Sequence, residues 1–350
     1  MEKGGDIIVV VLIWGSLLYL FVKGPLAVDL GIDNLLGSTL SSFKASLNEQ
    51  AHIINVFDGA KFFSATVHFN KKIDIFDIKT SPQNPELIFA GSNHGLFVSR
   101  NGGLNWHSFS DIKHKINSNS IVYKILFNPA ANNQSFISVF ENNKGFIYKS
   151  QDNFFSLEKI LEFDNEGVYD FDIYNNYLYL GLSNGRVLLY SLKNNEVRLL
   201  TTLNSPITNL KVADGVIYLT LKSGGFWKSE NNGQSFERMK FLDEFRNANK
   251  INEFLIASKR LYAATDYGLI RSLNNGETWQ VFKSLPVKKP EISALAFKDN
   301  PEEIFAASNG KIYRSRDHGS SWQTLEPELN GREISVISLN GDRVIIGSKR

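Results

Sequence analysis

Short runs in which apolar and polar residues alternate recur along most of this chain, as in Ile73-Asp-Ile75-Phe-Asp77-Ile-Lys79. A period of two puts one set of side chains in a core and the other toward solvent, which is the patterning of a half-buried strand. Runs of this kind open at Ile73–Lys79, Ile121–Phe127, Val168–Ile173, Ile207–Val212, Ile251–Ala257, Ile292–Phe297 and Ile334–Leu339. In the first unit a second run with small residues follows (Leu87-Ile-Phe-Ala-Gly91-Ser92), then a Gly-containing turn and a third run, Gly95–Ser99. A fourth run opens on an aromatic, Trp106-His-Ser-Phe109. Short strands bounded by Asn and Gly turns predict an antiparallel meander of four strands per unit.

The turn between the third and fourth runs is itself repeated. It reads Ser99-Arg-Asn101-Gly-Gly103-Leu-Asn-Trp106, Ser150-Gln-Asp152-Asn-Phe-Phe-Ser-Leu157, Ser229-Glu-Asn231-Asn-Gly233-Gln-Ser-Phe236, Ser272-Leu-Asn274-Asn-Gly276-Glu-Thr-Trp279 and Ser315-Arg-Asp317-His-Gly319-Ser-Ser-Trp322. The serines stand 51, 79, 43 and 43 residues apart, so the long interval holds two units. Its missing turn is Ser191-Leu-Lys193-Asn-Asn195, with Arg198 where the aromatic belongs. In such a turn the Asn or Asp oxygen accepts bonds from neighbouring backbone N–H groups, and Gly supplies a positive φ. Self-similarity at about 40 residues predicts a repeat architecture. The last unit stops after two strands, and His52–Val56 with Phe62–Phe69 supplies two more ahead of the first. The expectation is an all-β, seven-bladed β-propeller closed by its N- and C-terminal strands.

The N-terminus reads differently. Ile7 to Val22 is an uncharged apolar run between Asp6 and Lys23. We read residues 1–24 as one N-terminal transmembrane helix acting as an uncleaved anchor, with a cleaved signal peptide as the alternative. Residues 25–50 read as a tether, where Ile32, Leu36, Leu40, Phe43 and Leu47 predict one apolar face of a short helix. Residues 51–350 are the propeller.

Composition narrows the chemistry. The 38 basic and 36 acidic residues nearly cancel, against the basic excess that a nucleic-acid binder needs. There is no Cys, which excludes disulfides and thiolate metal sites. His52, His68, His94, His107, His114 and His318 are dispersed, and no metal or other cofactor is expected. The repeated Asn and Asp residues read as turn devices rather than calcium ligands, since no copy has the acidic ligand set of a calcium loop.

The unit Ser81–Trp106 (SPQNPELIFAGSNHGLFVSRNGGLNW) resembles the Asp-box, or bacterial neuraminidase, repeat, and Lys298–Trp322 matches the same unit. That family includes sialidases, sortilin-type receptors, xyloglucan hydrolases and photosystem II stability/assembly factor propellers. The resemblance covers about residues 50 to 350. In overall plan, a single propeller behind a membrane-targeting segment, the chain is most similar to the assembly factors. The second turn departs from the family pattern at Phe154 and Leu157, and the third is erased.

The resemblance implies two functional classes. Assembly-factor propellers use a basic patch to hold a client protein. Here the loops joining one unit to the next carry Lys113, His114, Lys115, Arg246, Lys250, Lys288, Lys289 and Arg332, diluted by Asp111, Asp243, Glu244, Glu326 and Glu328. Sialidase-like members need an arginine cluster, whereas Arg100, Arg271, Arg314 and Arg316 stand beside the repeated turns. Glycoside hydrolysis otherwise needs two facing carboxyl groups. Asp74, Asp77, Asp170, Asp172, Glu253, Glu291 and Glu333 are candidates at first-strand starts, with nothing that singles out a pair. The expectation is a non-catalytic, membrane-anchored, extracytoplasmic scaffold that binds a protein. A glycosidase or glycan-binding propeller is the alternative.

Overall fold

The computed structural model describes residues 9–14, 17–22, 53–67, 73–109, 113, 115–131, 133–239, 248–257, 259–287, 291–298 and 301–350. The chain divides into two units, Met1–Gln50 and Ala51–Arg350. In the first, β1 (Val9–Trp14) pairs antiparallel with β2 (Leu17–Val22), so these residues are strands where the sequence predicts an anchor helix. The β-branched run Val9-Val10-Val11 and Ile13 favours extended backbone, and only Gly15-Ser16 separates the two halves, a pairing suited to a tight hairpin. Among the described residues no helix is long and apolar enough to cross a membrane. The tether at 25–50 lies outside the described residues.

The second unit is a seven-bladed propeller. Blade 1 contains β6 (Ile75–Ser81), β7 (Asn84–Ser92), β8 (Gly95–Ser99) and β9 (Asn105–Phe109). Blade 2 contains β10 (Ile121–Phe127), β11 (Ser135–Glu141), β12 (Lys144–Ser150) and β13 (Glu158–Asp164). Blade 3 contains β14 (Val168–Tyr174), β15 (Tyr177–Leu182), β16 (Arg186–Ser191) and β17 (Val197–Thr202). Blade 4 contains β18 (Ile207–Ala213), β19 (Val216–Leu221), β20 (Phe226–Ser229) and β21 (Glu237–Arg238). Blade 5 contains β22 (Ile251–Ala257), β23 (Arg260–Thr265), β24 (Gly268–Ser272) and β25 (Gln280–Val281). Blade 6 contains β26 (Ala294–Lys298), β27 (Glu303–Ser308), β28 (Lys311–Ser315) and β29 (Gln323–Leu325). Blade 7 is shared: β30 (Glu333–Asn340) and β31 (Arg343–Lys349) are completed by β3 (Ile54–Phe57) and β4 (Phe62–Ser64), with Ile54 opposite Gly347.

The predicted strand at Phe62–Phe69 is divided. After Ala65, β5 (Thr66–Val67) leaves blade 7 and pairs in parallel with β9, making blade 1 five-stranded. Because strands alternate in direction, the turns between third and fourth strands share one end of the propeller with the turns between first and second. The blade-to-blade connections cross at the other end.

The core is a ring of seven wedges, each filled by an apolar cluster between adjacent blades. The repeated turns explain how blades dock. Ser99 Oγ accepts Gly103 N–H at 2.8 Å and donates to Asn101 Oδ1, which accepts Asn105 N–H at 2.9 Å. The same frame holds at Ser150/Asp152, Ser229/Asn231, Ser272/Asn274 and Ser315/Asp317. At Asp317 the Ser321 hydroxyl and N–H hold the carboxyl down to about 2.

Each turn also points its apolar residue at the preceding blade. Trp106 lies buried in the wedge between blades 7 and 1, and Trp279 in that between blades 4 and 5. Phe236 and Trp322 pack on the clusters between blades 3 and 4 and between blades 5 and 6. In blade 2 Phe154 occupies the glycine position at φ 68° and is itself fully buried against blade 1, together with Leu157. The erased copy folds otherwise: Tyr190 OH donates to Asn195 Oδ1 at 2.8 Å, within blade 3.

Candidate functional site

The first strands line the central channel, and they are not strictly alternating. A register shift interrupts the pairing between Ile75 and Asp77, Val122 and Lys124, Val168 and Asp170, Ile207 and Asn209, Ile251 and Glu253, and Ile334 and Val336. A bulge inserts one residue and re-aims its neighbours. The sequence signal is an apolar pair three apart, Ile75/Ile78, Val122/Ile125, Val168/Phe171, Ile207/Leu210, Ile251/Phe254, Ile292/Leu295 and Ile334/Ile337, all buried. In the six bulged strands the two residues between each pair reach the channel lining, where period-two reading expects one. In blade 6 the strand is unbulged and Ala294 is buried in the wedge with blade 7.

The resulting cavity has a volume of about 590 Å³. On one side the bulge positions carry Phe76, Tyr123 and Tyr169, with ring centroids 5.7 and 4.9 Å apart. Burial and the neighbouring Tyr169 push the Tyr123 hydroxyl up to about 12. The facing positions are Thr208, Asn252 and Ser335. Beside them lie Asp77, Lys124, Asp170, Asn209 and Glu253, with Lys79, Asp172 and Lys211 further along the strands.

The channel carboxylates are engaged. Asp77 accepts Ile125 N–H at 2.9 Å, Asp170 accepts Leu210 N–H at 2.8 Å, Asp172 accepts Val212 N–H at 2.8 Å and Glu253 accepts Leu295 N–H at 2.7 Å. Every one of these bonds crosses to the next blade. Lys124 pairs with Asp170 at 2.8 Å, and Lys79 lies 3.4 Å from Asp77. Burial pushes the Asp77 carboxyl up, but Lys79, Lys124 and the Ile125 N–H outweigh it and leave the pKa lowered. Burial dominates at Glu253 and Asp172, whose pKa values are raised. Lys211 is lowered by the nearby Lys124 and by burial.

The other candidate carboxylates lie elsewhere. Asp74 bonds Arg332 and the Arg350 N–H. Glu291 and Glu333, both exposed, line a cavity of about 50 Å³ with Asn309. Among the described residues no group of three or more His, Asp or Glu is placed to hold a metal ion.

Four residues of the predicted basic loop patch, Lys113, Lys115, Lys250 and Arg332, are among the described residues. Arg332 is buried, donating to Ser348 Oγ at 2.8 Å, to Ser348 O at 3.1 Å and to Ile73 O, so it joins blade 7 to blade 1. Lys115 donates to Leu157 O and lies 5.5 Å from the Tyr148 ring centroid. Lys250 pairs with Asp266 at 2.6 Å, and that bond raises its pKa. Lys113 is exposed. His114, Arg246, Lys288 and Lys289 lie outside the described residues. The arginines beside the turns have structural contacts too. Arg100 lies over Phe155, Arg271 over Phe282, and Arg314 and Arg316 on Glu303.

Neither a family model nor a curated protein matches the sequence. Solved structures do match in fold. YCF48 bound to a D1 peptide is 14% identical, covering 81% of this chain and 96% of that one at a TM-score of 0.62. YCF48 from Cyanidioschyzon merolae is 15% identical over 81% and 95%, again at 0.62. An ancestral GH74 enzyme is 15% identical over 77% of this chain and 42% of that one, at 0.59. What this chain shares with all three is the architecture, a β-propeller built from radially repeated four-stranded blades.

Proposed function

We propose that the chain is a non-catalytic propeller that binds a protein, as an extracytoplasmic assembly or docking scaffold held at a membrane by its apolar N-terminal stretch. The observation that carries this reading is the state of the channel carboxylates. A glycosidase needs one carboxyl group free to protonate a leaving oxygen and a second free to attack or to activate water. Asp77, Asp170, Asp172 and Glu253 instead hold adjacent blades together through backbone N–H groups. YCF48, similar in fold, is seen with a bound peptide, which gives protein binding a precedent on this architecture.

Crosslinking the full chain in native membranes, followed by reversal of Lys113, Lys288 and Lys289 to Glu, tests the loop face. Loss of a specific crosslinked partner is expected; unchanged capture removes those lysines from the binding face. Recovery of the chain in the soluble fraction would count against membrane attachment.

The second reading is a glycan-active propeller. It draws on the likeness to a GH74 enzyme and on Glu291 and Glu333, which share one small cavity. A cavity of about 50 Å³ has room for a water or two and not for a sugar ring. Turnover on a glycan panel that is lost in Glu291→Ala or Glu333→Ala would favour this reading. No turnover by the parent would end its catalytic form.

A further inference from the structure

The junction between blades 3 and 4 differs from the other junctions at which a Ser-x-Asn/Asp turn docks. Elsewhere the preceding blade reaches the turn with a polar contact. Arg343 donates to Gly102 O, Ser81 to Asn153 Oδ1 at 3.0 Å, Tyr218 to Asn275 Oδ1, and Ser284 to Gly319 O. At the fourth blade's turn none of the facing side chains does so among the described residues. A cavity of about 440 Å³ opens there instead, lined by Tyr177, Tyr179, Leu189, Glu196, Arg198 and Asn232, among others. Tyr179, Leu189 and Arg198 are register partners across three strands, so they form one row on the sheet face that looks toward blade 4. Among the described residues Arg198 makes no hydrogen bond or ion pair, and it occupies the place of the aromatic in the erased turn.

The strand that carries Arg198 is also an open edge. β17 stands last in its sheet, and no strand pairs with its outer side among the described residues. On the face opposite Arg198, Val197 and Leu199 are 49% and 54% exposed. Long apolar edges are templates for another strand, and natural sheets normally guard them with charge, shortness or cover. The other blades do so. β13 carries Glu158, Lys159 and Glu162, while β21, β25, β29 and β4 have only two or three residues. β9 is covered by β5 of the same chain, with Thr66 opposite Asn105 and Val67 opposite Trp106. Strand addition at an outer blade edge is thus something this molecule already does to itself.

We propose that the outer edge of β17 takes an extended peptide as a fifth strand of blade 3, with an acidic residue opposite Arg198 and a basic residue two positions away opposite Glu196. This rests on the protein-binding reading above and names where such a partner lies. Backbone pairing supplies affinity, and alternate side chains supply selection. The carboxylate would enter the cavity beside Tyr177 and Tyr179, and the residues between would cover Val197 and Leu199.

The test is fluorescence anisotropy on the full chain with a labelled probe, Thr-Val-Asp-Val-Lys-Val-Thr, and the same peptide with Asp and Lys exchanged for two Lys. The Asp-containing probe should bind at least about tenfold more tightly. Arg198→Glu and Leu199→Lys, both at exposed positions, should each weaken it by a similar factor, and the paired Glu196→Lys/Arg198→Glu variant should abolish the preference for Asp. Equal binding of the two peptides, no binding of either, or indifference to both single variants overturns the proposal. So does Arg198-dependent binding of polygalacturonate in place of the peptide, which would make the site a glycan site. A concentration-dependent dimer abolished by Leu199→Lys would overturn it in favour of a second copy of this chain. A membrane partner still crosslinked by Arg198→Glu while the peptide fails to bind would sink the edge and leave protein binding standing.

Discussion

At the scale of single residues, the repeated turn is a joint between blades more than an ornament of one blade. A Cβ added at Gly319 would sit 2.1 Å from a ring carbon of Phe282 in the preceding blade, at a φ of +85° that L residues rarely adopt. Gly319→Ala should therefore cost about 3 kcal/mol, combining a left-handed backbone penalty with overpacking. Gly341→Ala, at φ +60° with nothing within 4 Å, should cost only about 1 kcal/mol in the same urea titration. Phe154 shows the opposite trade. Phe154→Gly relieves the backbone by about 1–2 kcal/mol but empties a buried site worth about 3–5 kcal/mol, for a net loss of roughly 2 kcal/mol. The Ser, Asn/Asp and Gly of the turn were legible in the sequence, because their hydrogen bonds are local. The direction of the aromatic was not, because the preceding blade supplies its partner and no local pattern names it.

At the scale of elements, the seven first strands were legible to within one or two residues, since alternation and turn residues mark them. Their bulges were missed, although the apolar pairs three apart were on view. Those bulges turn Asp77, Asp170 and Glu253 into clasps between blades, and their titration follows from their surroundings. The Asp77 pKa is lowered below 3.8 in the fold, so its contribution is complete above that value and disappears as the pH falls through the folded pKa. Asp77→Asn should destabilise by about 2 kcal/mol near neutral pH, the scale of a charged hydrogen bond, and by little in acid where the parent is protonated too. Glu253 has the reverse sign. Its pKa is raised above 4.5, so the fold is favoured below 4.5 and loses that advantage as the pH rises through the folded value. Glu253→Gln should thus be more stable than the parent in mildly alkaline buffer and equal to it in acid. Urea midpoints across the pH range check both signs.

At the scale of the whole molecule, a propeller stands or falls on how its ring is closed, and here the closure gathers parts that lie far apart in sequence. β3 pairs with β31, the Ser348 N–H and hydroxyl both reach Ile53 O, and Ser335 Oγ reaches Ile75 O across to blade 1. The shared last blade was legible, because the final unit is two strands short and the chain before the first unit offers two. The role of Arg332 was not, because an arginine in an inter-blade loop looks the same whether it faces solvent or a carbonyl cage. The structure turns it inward, where its guanidinium joins Ser348 to Ile73 and Asp74 at the seam of the ring. Removing it leaves the carbonyls of Ile73 and Ser348 without their donor and Asp74 without its counter-ion. Arg332→Ala should therefore cost about 2–3 kcal/mol, the scale of losing charge-assisted bonds to buried carbonyls, with Asp74 half-exposed and adding little. Arg332→Lys should recover only part, because one ammonium cannot span the sites a guanidinium fork reaches. Well below the unfolding transition, partner capture should be the same for the parent and Arg332→Ala. Capture lost at unchanged stability would instead place Arg332 on a binding face and leave the seam to its backbone pairs.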